Sequence, residues 1–82
     1  MNHITVLFFA TLRDRAGIKS IEMDIPVETT VQGLKDLLVE AYPNLEGTMD
    51  SAVLSVNREF AFDESIVTEN AEVALFPPVS GG

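Results

Sequence analysis

The 82-residue sequence has room for one domain, and 46% hydrophobic residues with four prolines and five glycines mark it as globular rather than disordered. With no cysteine and one histidine, disulfide frameworks, thiolate metal sites, a cysteine nucleophile and a histidine cluster for zinc are excluded. Five basic against thirteen acidic residues give a net charge of −8, which repels phosphate backbones and anionic lipid heads, so neither nucleic acid nor membrane is an expected partner. Acidity of this size either keeps a small protein soluble or docks it onto basic surfaces of larger proteins, and net charge alone does not choose. The longest apolar run, residues 6–10, is far short of the ~20 residues that cross a bilayer. Met1-Asn2-His3 lacks the Lys or Arg of a secretory leader, so a cytoplasmic location is expected.

Residues 4–11 are β-branched and aromatic and read as a strand buried on both faces. Residues 12–20 carry Arg13, Asp14, Arg15, Gly17 and Lys19 and read as a polar connection with a turn at Gly17. Ser20, Glu22 and Asp24 alternate with Ile21, Met23 and Ile25, the period-two pattern of a strand with one wet face, which Pro26 closes.

The period then changes. Val31, Leu34, Leu37, Leu38 and Ala41 fall at three- and four-residue spacings and form one stripe of an amphipathic helix. Thr29 or Thr30 can cap it, and Thr29 with Gln32 fits the capping-box spacing. Pro43 marks its end. Gly33, costly inside a helix, suits a close approach to the sheet.

After a loop at 44–50, residues 52–57 read as a strand with Leu54 and Val56 on one face. A turn at Asn57-Arg58-Glu59 leads to a short strand at 60–62, and a second turn, with Asn70 left-handed, leads to a final strand at 72–76. The fold class is α+β, in the order β-β-α-β-β-β, with one main helix covering one face of a mixed sheet. Residues 1–76 form the single domain and residues 77–82 a tail. The first and last strands are apolar on both faces and belong in the centre. If the odd-numbered side of the first strand faces away from the helix, Phe9 lies there with Phe76 and Phe60. That apolar patch is either an interface or is covered by loops.

The chemistry concentrates in Phe76-Pro77-Pro78-Val79-Ser80-Gly81-Gly82. Two prolines hold the exit from the last strand extended. Ser80-Gly81-Gly82 has almost no side-chain bulk, so such a tail threads a narrow channel and presents its carboxylate to a distant active site. The rigid stem lowers the entropy lost on docking. Terminal Gly-Gly alone also fits a frayed end, but its place behind Pro-Pro and a central strand is more specific. Elsewhere Glu22/Asp24 and Glu69/Glu72 read as solvated charges, and His3 as a surface residue. Arg13 and Arg15 either meet an acidic partner loop or stay solvated. No nucleotide or metal site is evident.

Together, residues 6–10, Leu12-Arg13 followed by Gly17, the helix opening Thr30-Val31, the strand end Val56-Asn57 and the run from Glu72 to Gly82 resemble the MoaD family, the small subunits of molybdopterin synthase. The resemblance spans the whole chain and is most specific in Phe-Pro-Pro-Val-Ser-Gly-Gly. The chain departs from the family at Asn70-Ala71, where Gly-Asp is usual, which affects one turn.

The resemblance implies a ubiquitin-like β-grasp fold and a sulfur carrier. A ubiquitin-activating-type enzyme would use ATP to adenylate Gly82, and a persulfide would convert it to a thiocarboxylate. The tail would then enter the large catalytic subunit and donate sulfur to cyclic pyranopterin monophosphate. Two small and two large subunits would form a heterotetramer. Gly82 would carry the adenylate and then the sulfur, and Gly81 would keep the tail narrow. Pro77, Pro78, Val79 and Ser80 would position the tail, while Phe9, Phe60 and Phe76 would form the docking surface. No cofactor would be held stably, and the catalytic bases would belong to the partners. Carriers for thiazole synthesis, tRNA thiolation or a tungsten cofactor, a ubiquitin-related modifier, and a β-grasp adaptor with an inert tail are the alternatives.

Overall fold

The computed structural model describes residues 1–78. Strand β1 (Asn2–Phe8) buries Ile4, Val6 and Phe8 on one side and half-buries Leu7 on the other. It pairs antiparallel with β2 (Ser20–Ile25), Val6 opposite Ile21, and parallel with β5 (Glu72–Phe76), Val6 opposite Val73. Strand β3 (Val53–Val56) joins the other side of β5 antiparallel, Leu54 opposite Leu75, and β4 (Glu59–Phe60) closes the sheet in the order β2-β1-β5-β3-β4. The two strands expected in the centre lie inside the sheet. Val73, Ala74 and Leu75 are consecutive buried residues of β5, the pattern of a strand covered on both faces.

Helix α2 (Val31–Ala41) crosses one face and buries Val31, Leu34 and Leu38 against it. The Thr30 hydroxyl accepts from the Gly33 amide at 3.1 Å and is the N-cap. The Thr29 hydroxyl instead donates to the Pro26 carbonyl at 2.6 Å, and the Gln32 side chain donates to Asp36, so the capping box expected from Thr29 and Gln32 does not form. A distant segment supplies acceptors for two further first-turn amides: Val31 donates to the Ser65 carbonyl and Gln32 to the Asp63 carbonyl, at 2.8 and 2.9 Å. Gly33 does not serve sheet packing. A β-carbon there would meet the Thr29 methyl at 3.3 Å and the Thr30 hydroxyl at 3.5 Å, so its contacts are with the cap.

The stretch expected as a polar connection contains a second helix, α1 (Ala10–Ala16). The amides of Leu12 and Arg13 both donate to the Phe9 carbonyl, and Gly17, left-handed at φ 79°, closes the helix as the expected turn. Only Leu12 of its seven residues is buried, so no apolar stripe announces it. The observed order is therefore β-α-β-α-β-β-β. The loop expected at 44–50 carries short 3-10 turns at Pro43–Leu45 and Met49–Ser51, which seat Leu45 and Met49 in the core. Strand β4 begins at Glu59, one residue earlier than expected, because a two-residue turn at Asn57-Arg58 sets Val56 opposite Glu59. Asn70 is left-handed at φ 61°, as its turn requires.

Candidate functional site

The sheet face opposite α2 carries the aromatic residues singled out in the sequence. With Ile4, Val6 and Phe8 turned into the core, strand alternation puts Leu7 on the other side. Phe9 follows at the N-cap of α1, where its amide donates to the Leu75 carbonyl at 3.2 Å and holds it against β5. Its ring stacks on Phe76 with centroids 4.8 Å apart and an interplanar angle of 10°. Leu7, Ser55 and Ala74 line the groove between them, and Phe60, Arg58 and Glu72 complete it, around a volume of about 320 Å³. A second hollow of about 360 Å³ adjoins it, lined by Val53, Phe60, Phe76 and Pro77.

Phe9, Phe60, Phe76 and Pro77 thus converge. Phe60 is 79% exposed, so no described loop covers it. Pro78 is exposed beyond Pro77. The positions expected for Val79, Ser80, Gly81 and Gly82 lie outside the described residues. The chain leaves β5 at the edge of the apolar face, so whatever binds this face also meets the root of the tail. Sequence reasoning missed Leu7, Ala74, Val53, Ser55, Arg58 and Glu72 as lining residues. The alternation that placed Phe9 also places Leu7, whereas nothing in the sequence marks Arg58.

The charges are sorted by face. Arg58 lies 3.9 Å from Glu72 at the groove, and Arg13 and Lys19 line the hollow that shares Leu7 and Phe9 with it. At the other end of β1, His3 is held between Glu22 at 2.9 Å and Asp24 at 2.8 Å, which raises its pKa above the usual 6.5, the Glu22 hydrogen bond contributing most. Glu22 and Asp24 are therefore more than solvated strand charges, though they are remote from the aromatic groove. Among the described residues no group of three His, Cys, Asp or Glu side chains could hold a metal ion, and no helix is long and apolar enough to cross a membrane.

The ThiS family model matches residues 6–82, from the first strand to the final glycine. The chain belongs to the ThiS family. It is 38% identical to the molybdopterin synthase sulfur carrier subunit of Arabidopsis thaliana over 96% of this chain and 82% of that protein. It is 37% identical to the subunit of the same name from Dictyostelium discoideum, over 99% of this chain and 98% of the other. Among solved structures it is similar to small archaeal modifier protein 1 of Haloferax volcanii, with a TM-score of 0.85, 32% identity, and 96% and 100% of the two chains covered. The ubiquitin-like β-grasp fold expected of a MoaD relative is the fold this ThiS-family chain adopts.

Proposed function

We propose that the chain is the sulfur-carrier subunit of a molybdopterin synthase, acting in the cytoplasm as a protein cosubstrate. The observation that carries this reading is the near-full-length similarity to the sulfur carrier subunits, beside a ThiS family match that runs to Gly82. The geometry supports it: β5 emerges beside the Phe9–Phe76 groove, so a protein seated there lies where the tail begins. The Gly82 carboxylate attacks the α-phosphate of ATP on a ubiquitin-activating-type enzyme and displaces pyrophosphate. A persulfide sulfur then displaces AMP, and a second thiol cleaves the sulfur–sulfur bond to leave the thiocarboxylate. The tail enters the large subunit, with two of each subunit per complex, and gives its sulfur to cyclic pyranopterin monophosphate. ATP belongs to the activating enzyme, and this chain holds no cofactor of its own.

The absence of cysteine supplies the test. After incubation with ATP, the activating enzyme and a sulfur donor, a thiol-alkylating reagent should add one adduct, mapped to Gly82, and deletion of Gly82 should abolish it. No adduct, with the enzyme competent on another carrier, rejects sulfur loading. Similarity to the archaeal modifier favours a second reading, in which Gly82 is joined to lysine amines of other proteins. In that case higher-mass conjugates would form in the same mixture supplemented with cell extract.

A further inference from the structure

The turn that aims Arg58 at the groove breaks a local rule. Asn57 at φ 52° and Arg58 at φ 70° are the two central residues of a two-residue hairpin between β3 and β4, which requires a type I′ turn. Asparagine suits the first position. Glycine is the residue of choice at the second, because a β-carbon is disfavoured at positive φ. The turn is held regardless, since the Asn57 amide donates to the Glu72 carbonyl at 2.8 Å and the Asn57 side chain accepts from the Glu72 amide at 2.9 Å. Arg58 is therefore strained by its neighbours' bonds while its own side chain is 89% exposed and, among the described residues, makes the long 3.9 Å approach to Glu72 alone. Strain of this kind persists where the side chain has a use.

The charge distribution indicates which use. Of the five Lys and Arg side chains Lys35 is buried, leaving four exposed. Arg58 lines the aromatic groove, and Arg13 and Lys19 line the hollow that continues it past Leu7 and Phe9. Of the four exposed Lys and Arg side chains of a −8 protein, one thus lines the apolar groove and two line the hollow beside it, while its carboxylates lie mostly elsewhere. Among the described residues Glu72 is the one carboxylate that lines either the groove or the adjoining hollow.

We propose that Arg58 is a partner-reading residue: its strained turn presents the guanidinium to a carboxylate on the protein that seats on the Phe9–Phe76 groove. Arg13 and Lys19 favour further acidic groups at the opposite rim. The occupant is a protein surface with an apolar ridge flanked by carboxylates. This inference rests on the docking role of the groove proposed above.

The test compares binding of the full chain to the purified large subunit of molybdopterin synthase from the same organism, at low and at physiological salt. Arg58→Gly should raise the melting temperature by about 2–5 °C, since glycine relieves the turn. It should also slow association about three- to tenfold at low salt, with the deficit shrinking as salt rises. Arg58→Glu should slow association further, and Arg58→Lys should retain most of the rate. A wild-type association rate for Arg58→Gly overturns the proposal, and so does a lowered melting temperature, which removes the strain argument. Phe76→Asp, measured alongside, separates the two levels. If it weakens binding while Arg58→Gly does not, only the reading of Arg58 fails. If neither changes binding, the docking role of the groove fails with it.

Discussion

Lys35 Nζ, on a residue only 5% exposed, lies 3.1 Å from Asp63 Oδ1 and joins helix α2 to the segment that follows β4. The Asp63 carbonyl also accepts the Gln32 amide at 2.9 Å, so one residue satisfies both a buried cation and a helix-terminal donor. A buried ammonium stripped of its partner is costly, whereas replacing the ammonium with an apolar group of similar size leaves only the half-exposed Asp63, which water solvates. Asp63→Ala should therefore destabilise by about 1–3 kcal/mol, below the cost for a fully buried pair because Asp63 itself is half exposed. Lys35→Met should cost about 1 kcal/mol or less. Urea unfolding of both variants checks the asymmetry, and equal losses would show that the pair itself is net stabilising.

The Thr30 cap is a second separable contribution. Its hydroxyl satisfies the Gly33 amide, so Thr30→Ala should cost about 1 kcal/mol. Thr30→Ser should recover most of that by keeping the oxygen. The same urea measurements apply, and a loss carried equally by the serine variant would assign the effect to the threonine methyl instead.

What the sequence made legible follows from how many side chains each element commits to the core. Helix α2 buries three residues of one stripe, and β5 buries three in succession, so both are evident from pattern alone. Helix α1 commits only Leu12 and is formed by backbone bonds to Phe9, which no periodicity reports. Phe9 and Phe76 could be placed on one face by counting parity along the first and last strands. Their stacking follows from β1 and β5 being adjacent, which depends on tertiary pairing. The burial of Lys35 and the position of Arg58 also depend on tertiary placement, since a charged residue in a helix or turn is ordinarily solvated.

The single histidine sets a pH dependence. Hydrogen bonds to Glu22 and Asp24 favour the imidazolium, so the folded pKa lies above the unfolded value of about 6.5. A group raised on folding contributes stability that is fully present below its unfolded pKa and lost as pH rises through its folded pKa. The stability difference between the native chain and His3→Gln should thus be greatest below about pH 6 and decline above neutrality. An NMR titration of the imidazole should give a midpoint above 6.5 that moves back towards it in high salt, because the cluster is exposed. A midpoint at or below 6.5 would mean the two carboxylates do not hold the ring in solution.

Ala10 joins the groove to its supporting helix. At φ 51° it turns the chain from the end of β1 into α1, directly after the Phe9 that stacks on Phe76. An L-residue in the left-handed region costs roughly 1–2 kcal/mol, whereas glycine adds about 0.5–1 kcal/mol of chain entropy to the cost of folding. Ala10→Gly should therefore fall between neutral and about 1 kcal/mol stabilising. Ala16→Gly, at the ordinary helical end of α1, should destabilise by about 1 kcal/mol. Ala10→Val should destabilise clearly, since a β-branched side chain tolerates positive φ least. Thermal unfolding of the three variants checks the order. A loss above 1 kcal/mol for Ala10→Gly would mean that the strain at this turn is smaller than its backbone angle implies, and that the Ala10 methyl contributes packing of its own.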